Sequence, residues 1–413
     1  MTHRAGAAAI PITPRLAGPD GTPTLLAGFW PPRPATGVHS PLEVRALALA
    51  TPDGPPVVIV VADLVGLPRG LVLSARLAIE GAATGARAIL AATHVHSGPD
   101  TIGLWGPDDA TSGVDPAYLG RVEAAVVAAA RAAIAALVPV GLEAAAIRVP
   151  GVARNARQPA IVDDELTILR AVGADGRTVA TFLDFPCHPE VLDGSTTLVS
   201  ADYPGALRER VEAALGGTAV FAAGALGAMM TPARDEPTVA ELERAGARLA
   251  DAALAALAGE ARRLGPGLRF DRRPIAIPSE NPVFEGALAA GIVAPRERTA
   301  SGAITSDVSL VEIGGPAGLR LAAVPGELAP TLGLPLKAAL APALTAIVGL
   351  ADDELGYFLD PADFVFPDDP RAPGEHYEET MSVGREAGPV VADAIRSLLA
   401  TEAAGATATG GAP

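Results

Sequence analysis

Residues 56–66, PVVIVVADLVG, are apolar from end to end except for Asp63. A run so short and so poor in polar residues has no solvent face. It fits a strand buried on both sides, and such strands belong to sheets covered by helices. The chain continues in the same sense: a helix is predicted from about 69 to 85, then a second apolar run from 88 to 92. Strand, helix, strand is the βαβ alternation of an α/β fold. The lone acid near the end of the first run suggests that this end opens into a site.

The second run leads into Thr93-His94-Val95-His96-Ser97-Gly98-Pro99. Side chains alternate along a strand, so His94 and His96 are expected on one face. Two imidazoles together suit a metal, or a metal beside an acid/base. Two polar residues at a loop mouth, bonded to water or backbone, is the competing reading.

Further along, an N-cap acid and a proline, Asp115-Pro116, start a helix predicted to run to about 137. Residues 149–159 read as an arginine-bearing loop, 165–172 and 178–185 as a hairpin. Residues 200–204 read as the cap of a helix to about 215, and 219–223 as a short buried strand. Thr238 with Glu241 makes a capping box for a helix to about 260. An internal boundary is expected near 265. Beyond it come an irregular stretch to 301, strands at 306–313 and 319–324, a helix at 334–341 and a strand at 345–350. A last helix is expected at 390–400 and a disordered tail at 401–413.

Composition narrows the function. Net charge is −16, which argues against nucleic acid and against stable association with anionic membranes. Lys337 is the sole lysine, which removes a phosphate-binding Gly-Lys-Ser/Thr loop. A single cysteine, Cys187, excludes an internal disulfide and reads as a small buried hydrophobe. No targeting or membrane-spanning segment is visible, so the expected location is cytoplasmic. Oligomeric state is not readable.

Four residues, His94, His188, Glu327 and Tyr357, each follow an apolar strand-like run and lie in or near a turn. Two neutral imidazoles, a carboxylate and a weaker oxygen ligand can hold a catalytic zinc ion with room for water. Taken singly, Glu327 reads as a solvated loop acid and Tyr357 as a packed aromatic. Spacing alone does not join the four.

A resemblance does. The chain resembles the catalytic domain of the neutral (alkaline, non-lysosomal) ceramidase family over nearly its whole length. It does so through Ile12-Thr13-Pro14, Gly37-Val38-His39, Ala62-Asp63, the Thr93–Pro99 segment and Phe185-Pro186-Cys187-His188-Pro189. Ser200-Ala201-Asp202-Tyr203-Pro204-Gly205, Pro325-Gly326-Glu327 and Gly349-Leu350-Ala351-Asp352-Asp353-Glu354-Leu355-Gly356-Tyr357 complete the series. The resemblance implies an α/β fold with two stacked mixed central sheets and helices on both outer faces, in one domain over 1–400. It implies Zn2+ bound by His94, His188, Glu327 and Tyr357. It implies His96 as hydrogen-bonding acid/base, an arginine (Arg157 rather than Arg154) that steadies substrate, and Tyr377 beside the oxyanion. The implied activity is zinc-dependent hydrolysis of an amide. A zinc esterase or lactonase, and a vestigial metal-binding scaffold, are the alternatives.

The sequence departs from the family pattern at Gly227-Ala228-Met229-Met230-Thr231-Pro232, where an acid is usual, and no counterpart of the C-terminal β-sandwich of well-known members is expected within these 413 residues. With 2 Trp, 4 Tyr and 9 Phe it is poor in the aromatics that draw lipid from a bilayer. The expected substrate is therefore a small-molecule or lipid-like amide, a soluble N-acyl amide above ceramide. Phe284 and 364–366 are expected to line an acyl pocket under a lid from 279 to 301.

Overall fold

The computed structural model describes residues 2–82, 85–259 and 261–408, with backbone alone for 400–408. Its centre is a mixed sheet in the order Thr218–Ala223, Thr178–Phe185, Glu165–Gly173, Val138–Arg148, His3–Pro11, Glu43–Ala50, Val57–Ala62 and Arg87–Ala92. The two-residue strand Arg262–Arg263 adds to Val138–Arg148. A second sheet runs Leu268–Ile277, Ile304–Ile313, Leu319–Ala323, Leu344–Val348. The chain passes from one sheet to the other at Leu264–Gly267.

Within the two main sheets most pairings are antiparallel; three are parallel, and each of these is closed by a crossover helix. Val57–Ala62 and Arg87–Ala92 are joined through the helix Arg69–Ala82. Thr178–Phe185 and Thr218–Ala223 are joined through Asp202–Leu215, and Leu319–Ala323 and Leu344–Val348 through Pro330–Ala339. A parallel pair needs such a connection because its strands cannot be joined by a tight turn. Six strand ends therefore point the same way within their units, and backbone hydrogen bonds tie them together. Ala92 N donates to Leu350 O, Gly349 N to Ala223 O and Leu350 N to Gly326 O.

Three apolar clusters hold the elements. One packs the central sheet against the helices Arg69–Ala82, Pro116–Ala135, Asp202–Leu215 and Val239–Gly259. A second is drawn from both sheets, with Leu47, Ile59 and Phe182 from one and Val311, Leu321 and Val348 from the other. A third joins the smaller sheet to Pro330–Ala339 and the helix Ala387–Ala408.

Several expectations need correction. The strand Val138–Arg148 was not foreseen; its proline, glycine and alanines hide a segment paired on both edges. The stretch to 301, expected to be irregular, contains the helix Pro282–Ala289. Ser200 does not cap a helix in the ordinary way: Asp202 takes φ +49°, and its carboxylate accepts from the amides of Val191, Leu192 and Tyr203. Tyr203 donates its hydroxyl to Cys187 O at 2.6 Å, so this motif braces the loop around His188. Cys187 is fully buried, as expected. The expected tail starts inside the last helix, and residues 409–413 lie outside the described residues.

Asp63 does not face a site. It is fully buried and receives both terminal nitrogens of Arg208 at 2.7 and 2.8 Å, while Glu43 N donates to it at 3.0 Å. This pair straps the helix Asp202–Leu215 to the sheet end. Asp63→Ala leaves a buried guanidinium without its carboxylate, which costs about 3–5 kcal/mol. Urea unfolding of the variant against the parent is the measurement, and an unchanged midpoint contradicts the strap.

Candidate active site

The strand Arg87–Ala92 stops two residues before His94, which adopts φ +66°. The alternation argument thus fails for the His-x-His pair. The two rings meet, centroids 4.8 Å apart, because a left-handed turn swings His94 over. An L-residue rarely holds that conformation unless its surroundings impose it. Here His94 Nδ1 donates to Val65 O at 2.6 Å, the carbonyl just past the neighbouring parallel strand.

His188 follows Thr178–Phe185 in the same manner. Its Nδ1 donates to Met230 O at 2.9 Å, again from the segment beyond the paired strand. Ala228 and Met229 both take positive φ to bring that carbonyl round. Glu327 and Tyr357 come from the third parallel unit, where Glu327–Leu328 pairs with Tyr357–Phe358 in direct register. Gly227 lies against the Glu327 carbonyl so closely that a Cβ would sit 2.4 Å from it. No larger residue fits there without moving Glu327.

The three groups close on one point. His188 Nε2 is 3.0 Å from Glu327 Oε2, and His94 Nε2 is 3.6 Å from Glu327 Oε1. The His94 and His188 rings are 4.9 Å apart, and Tyr357 stacks near His188 at 6.4 Å. The Tyr357 hydroxyl is 3.2 Å from Met229 Sδ. Candidate ligand nitrogens of His94, His96 and His188 all lie within 4.8 Å of one another.

A carbonyl can only accept, so both Nδ1 atoms carry the proton. Each Nε2 is left facing the Glu327 carboxylate, so a positive charge, a proton or a metal ion, belongs between them. Burial pushes His94 down to about 3, with Glu327 opposing and the two neighbouring imidazoles reinforcing. Burial also disfavours the His188 cation, but the hydrogen bond and charge of Glu327 prevail and hold it at about 9. Glu327 stays below the ordinary carboxylate value despite its burial, through His94 and His188. Two oriented imidazoles and a carboxylate could hold a metal ion, and these donors fit zinc chemistry.

His96 is arranged differently. Its Nδ1 lies 3.3 Å from Glu190 Oε2, and Glu190 also accepts the Thr231 hydroxyl at 2.6 Å. Burial raises the Glu190 carboxyl, but the facing His96, with His188 and Thr231, holds it at about 2. Arg33 donates to the His96 carbonyl at 2.6 Å, and Gly28 packs against the imidazole with φ +90°. Sequence reasoning missed Glu190, Arg33 and Gly28. Glu190 is two residues beyond His188; the other two carry no local signal, because only tertiary folding brings them to His96.

Of the remaining expected residues, Tyr377 lines the same pocket as His94, His96, Glu327 and Tyr357, its ring 6.4 Å from that of Tyr357. Arg154 is exposed. Arg157 donates to Glu378 at 2.8 Å, to Glu379 at 2.7 and 3.0 Å and to Asp363 O at 2.6 Å. Its guanidinium is fully engaged with the segment that carries Tyr377, so it clamps that segment. Phe284 lines the pocket as expected, whereas Phe364 packs beside Tyr357 and Leu359, and Val365 is exposed. The far wall is Ile102, Leu104 and Trp105, on a loop whose amides converge on the Asp100 carboxylate.

Comparison with solved structures decides the fold. A neutral ceramidase from Pseudomonas aeruginosa matches with a TM-score of 0.75 and 18% identity, over 97% of this chain and 75% of that one. The chain has the neutral ceramidase fold. A ceramidase complexed with C2 matches as well, with a TM-score of 0.76 and 17% identity, over 97% and 76%. No protein-family model matches the sequence, and no curated protein does.

Within the neutral ceramidase fold the Arg157 clamp makes a defined prediction. Arg157→Ala frees Glu378 and Glu379, and amide exchange over residues 363–382 rises by about tenfold or more. Exchange in Glu43–Ala50 stays as it was. Mass-spectrometric exchange reads both, and equal protection of 363–382 in the two proteins removes the clamp.

Proposed function

We propose that this chain is a neutral-ceramidase-like, zinc-dependent hydrolase of amides, with His94, His188, Glu327 and Tyr357 as the metal ligands. We read its architecture as two stacked mixed sheets between helical layers, one catalytic unit over 1–400. The observation that carries the proposal is the orientation of His94 and His188. Both imidazoles give Nδ1 to a backbone carbonyl and turn Nε2 to the same buried carboxylate. What a zinc ion supplies at such a place is Lewis acidity, which polarises a carbonyl and makes water acidic near neutrality.

The other residues do the rest. His96, which faces Glu190, takes a proton from water and returns it to the departing amine. Arg157 holds the segment that carries Tyr377, so its part is to position and not to touch substrate. The Tyr377 hydroxyl, on the pocket wall, donates toward an oxygen that gains charge, an effect worth about 3–4 kcal/mol for a well-aimed donor. The apolar walls from Ile102, Leu104, Trp105 and Phe284 take the acyl chain. The net charge of −16 favours a soluble N-acyl amide over ceramide held in an anionic surface.

Two measurements test this. The purified protein titrates with zinc to one tight equivalent per chain. His188→Ala abolishes that equivalent, and His96→Ala keeps it while kcat/KM falls by about 10²–10⁴. Retention of zinc by His188→Ala, or its loss in His96→Ala, overturns the assignment. On matched substrates, a short-chain soluble amide is turned over faster than its ester analogue at equal leaving-group acidity and faster than micellar long-chain ceramide. Preference for the ester or for ceramide rejects the corresponding part of the proposal.

A further inference from the structure

The His96 ring is held in a different way from its neighbours. His94 and His188 each anchor Nδ1 on a backbone carbonyl. His96 Nδ1 is 3.3 Å from Glu190 Oε2 and has no hydrogen-bond partner among the described residues. Its orientation is therefore left to its own backbone and to the groups packed on the ring. One short segment, residues 26–33, supplies both constraints. Leu26 bridges to Pro99, and Ala27 N donates to Gly98 O at 2.9 Å, which lays the segment along the turn after His96. A Cβ on Gly28 would lie 2.3 Å from the imidazole Cγ, and Phe29 meets the ring edge-on, centroids 5.1 Å apart.

Arg33 closes this segment. It is 4% exposed, and among the described residues its guanidinium is bonded to carbonyls alone. Nη1 donates to Asp193 O and Thr196 O, both at 3.2 Å; Nη2 donates to His96 O at 2.6 Å and to Ala27 O. Its Cζ stands 5.0 Å from the centroid of Phe29. One planar cation thus joins the His96 backbone, the segment packed on the His96 ring, and the loop 193–196 that follows Glu190. Lysine has no equivalent, since its three donors radiate from a single nitrogen. A buried cation is a costly joint between loops, and this one is made on His96 itself.

We infer that Arg33 is a positioning residue, which sets the His96 imidazole for proton transfer by tying the His96 carbonyl to the segment that packs on the ring. The inference rests on the proposed amide hydrolysis for the reaction, and on the bonds above for the geometry. Arg33 does not line the pocket, so it acts through His96 and not on substrate. The proposed metal ligands are held by other elements. His94 and His188 are aimed by Val65 and Met230, and Glu327 by its pairing with Tyr357. Loss of Arg33 therefore moves one imidazole of the three.

The test separates positioning from general support of the fold. In zinc-loaded protein, Arg33→Ala and Arg33→Lys should each lower kcat by about 10- to 100-fold, the effect of a reacting group moved by about 1 Å, with KM within about threefold of the parent. Arg33→Lys keeps the charge and most of the volume, so it covers the case in which Arg33→Ala does not fold. Both variants should bind zinc at the parent stoichiometry. Guanidinium ion, but not ammonium ion at equal ionic strength, should recover part of the Arg33→Ala loss, because only a planar fork reaches several carbonyls at once. A second readout needs no turnover. With six histidines in the chain, ring resonances of histidine-labelled protein can be followed one by one at fixed pH. The His96 signal should shift or broaden in both variants while those of His94 and His188 hold their positions. An unmoved His96 signal, or a parent-like kcat, overturns the inference. So does a loss in which zinc and all the histidine signals go together, for then Arg33 only supports the fold. If the parent hydrolyses no amide but His96 alone moves in the variants, amide hydrolysis fails and the placing of His96 by Arg33 stands.

Discussion

Two hydrogen bonds set the geometry of the candidate site, those from His94 and His188 to the carbonyls of Val65 and Met230. Each bond fixes a tautomer, and each turns a ring edge toward Glu327. Without them the imidazoles rotate, and three buried titratable groups have no reason to share one centre. The carbonyls are themselves products of the fold. Val65 lies just past one strand of a parallel pair whose other strand delivers His94, and Met230 stands in the same relation to His188. The crossover unit supplies both the ligand and the group that aims it.

This geometry explains where the irregular backbone lies. His94, Ala228, Met229 and Leu350 all adopt left-handed conformations, each just beyond the end of a parallel strand. A strand leaving a sheet in regular geometry carries its side chains up and down, not inward. Turning an imidazole or a carbonyl sideways takes a residue out of the β region, at a cost of order 1–3 kcal/mol for a non-glycine residue. The dense packing of the sheet ends holds these residues where no single local interaction would.

Much of the scaffold was legible in the sequence. The apolar runs at 56–66, 88–92 and 219–223 hold almost no polar residues and read as interior strands, and capping signals such as Asp115-Pro116 place helices well. The His-x-His pair was legible too, though for the wrong reason, since the strand ends before it. What stayed hidden was whatever long-range contact alone creates. Val138–Arg148 reads as loop because its alanines and glycine gain strand character only from two neighbours. Asp63 marks a strand end that opens into the site, yet nothing local announces that Arg208 takes its carboxylate. Arg157 resembles a substrate-binding arginine until Glu378 and Glu379, far along the chain, are seen to occupy it. Glu190 hides in plain view beside His188, since an acid after a proline is ordinary in a loop.

The three parallel units that meet at the centre are far apart in the chain, and they are made in order. During synthesis His94 and His188 are present long before Glu327 and Tyr357. An early chain therefore offers two nitrogen donors with no carboxylate between them, a poor holder for a dication. The smaller sheet has to be finished and docked before the centre is whole. Under the proposed reading, capture of an ion is thus a late event in the life of each molecule, and a chain truncated anywhere before Glu327 lacks the carboxylate of the proposed centre, however well its first sheet is formed.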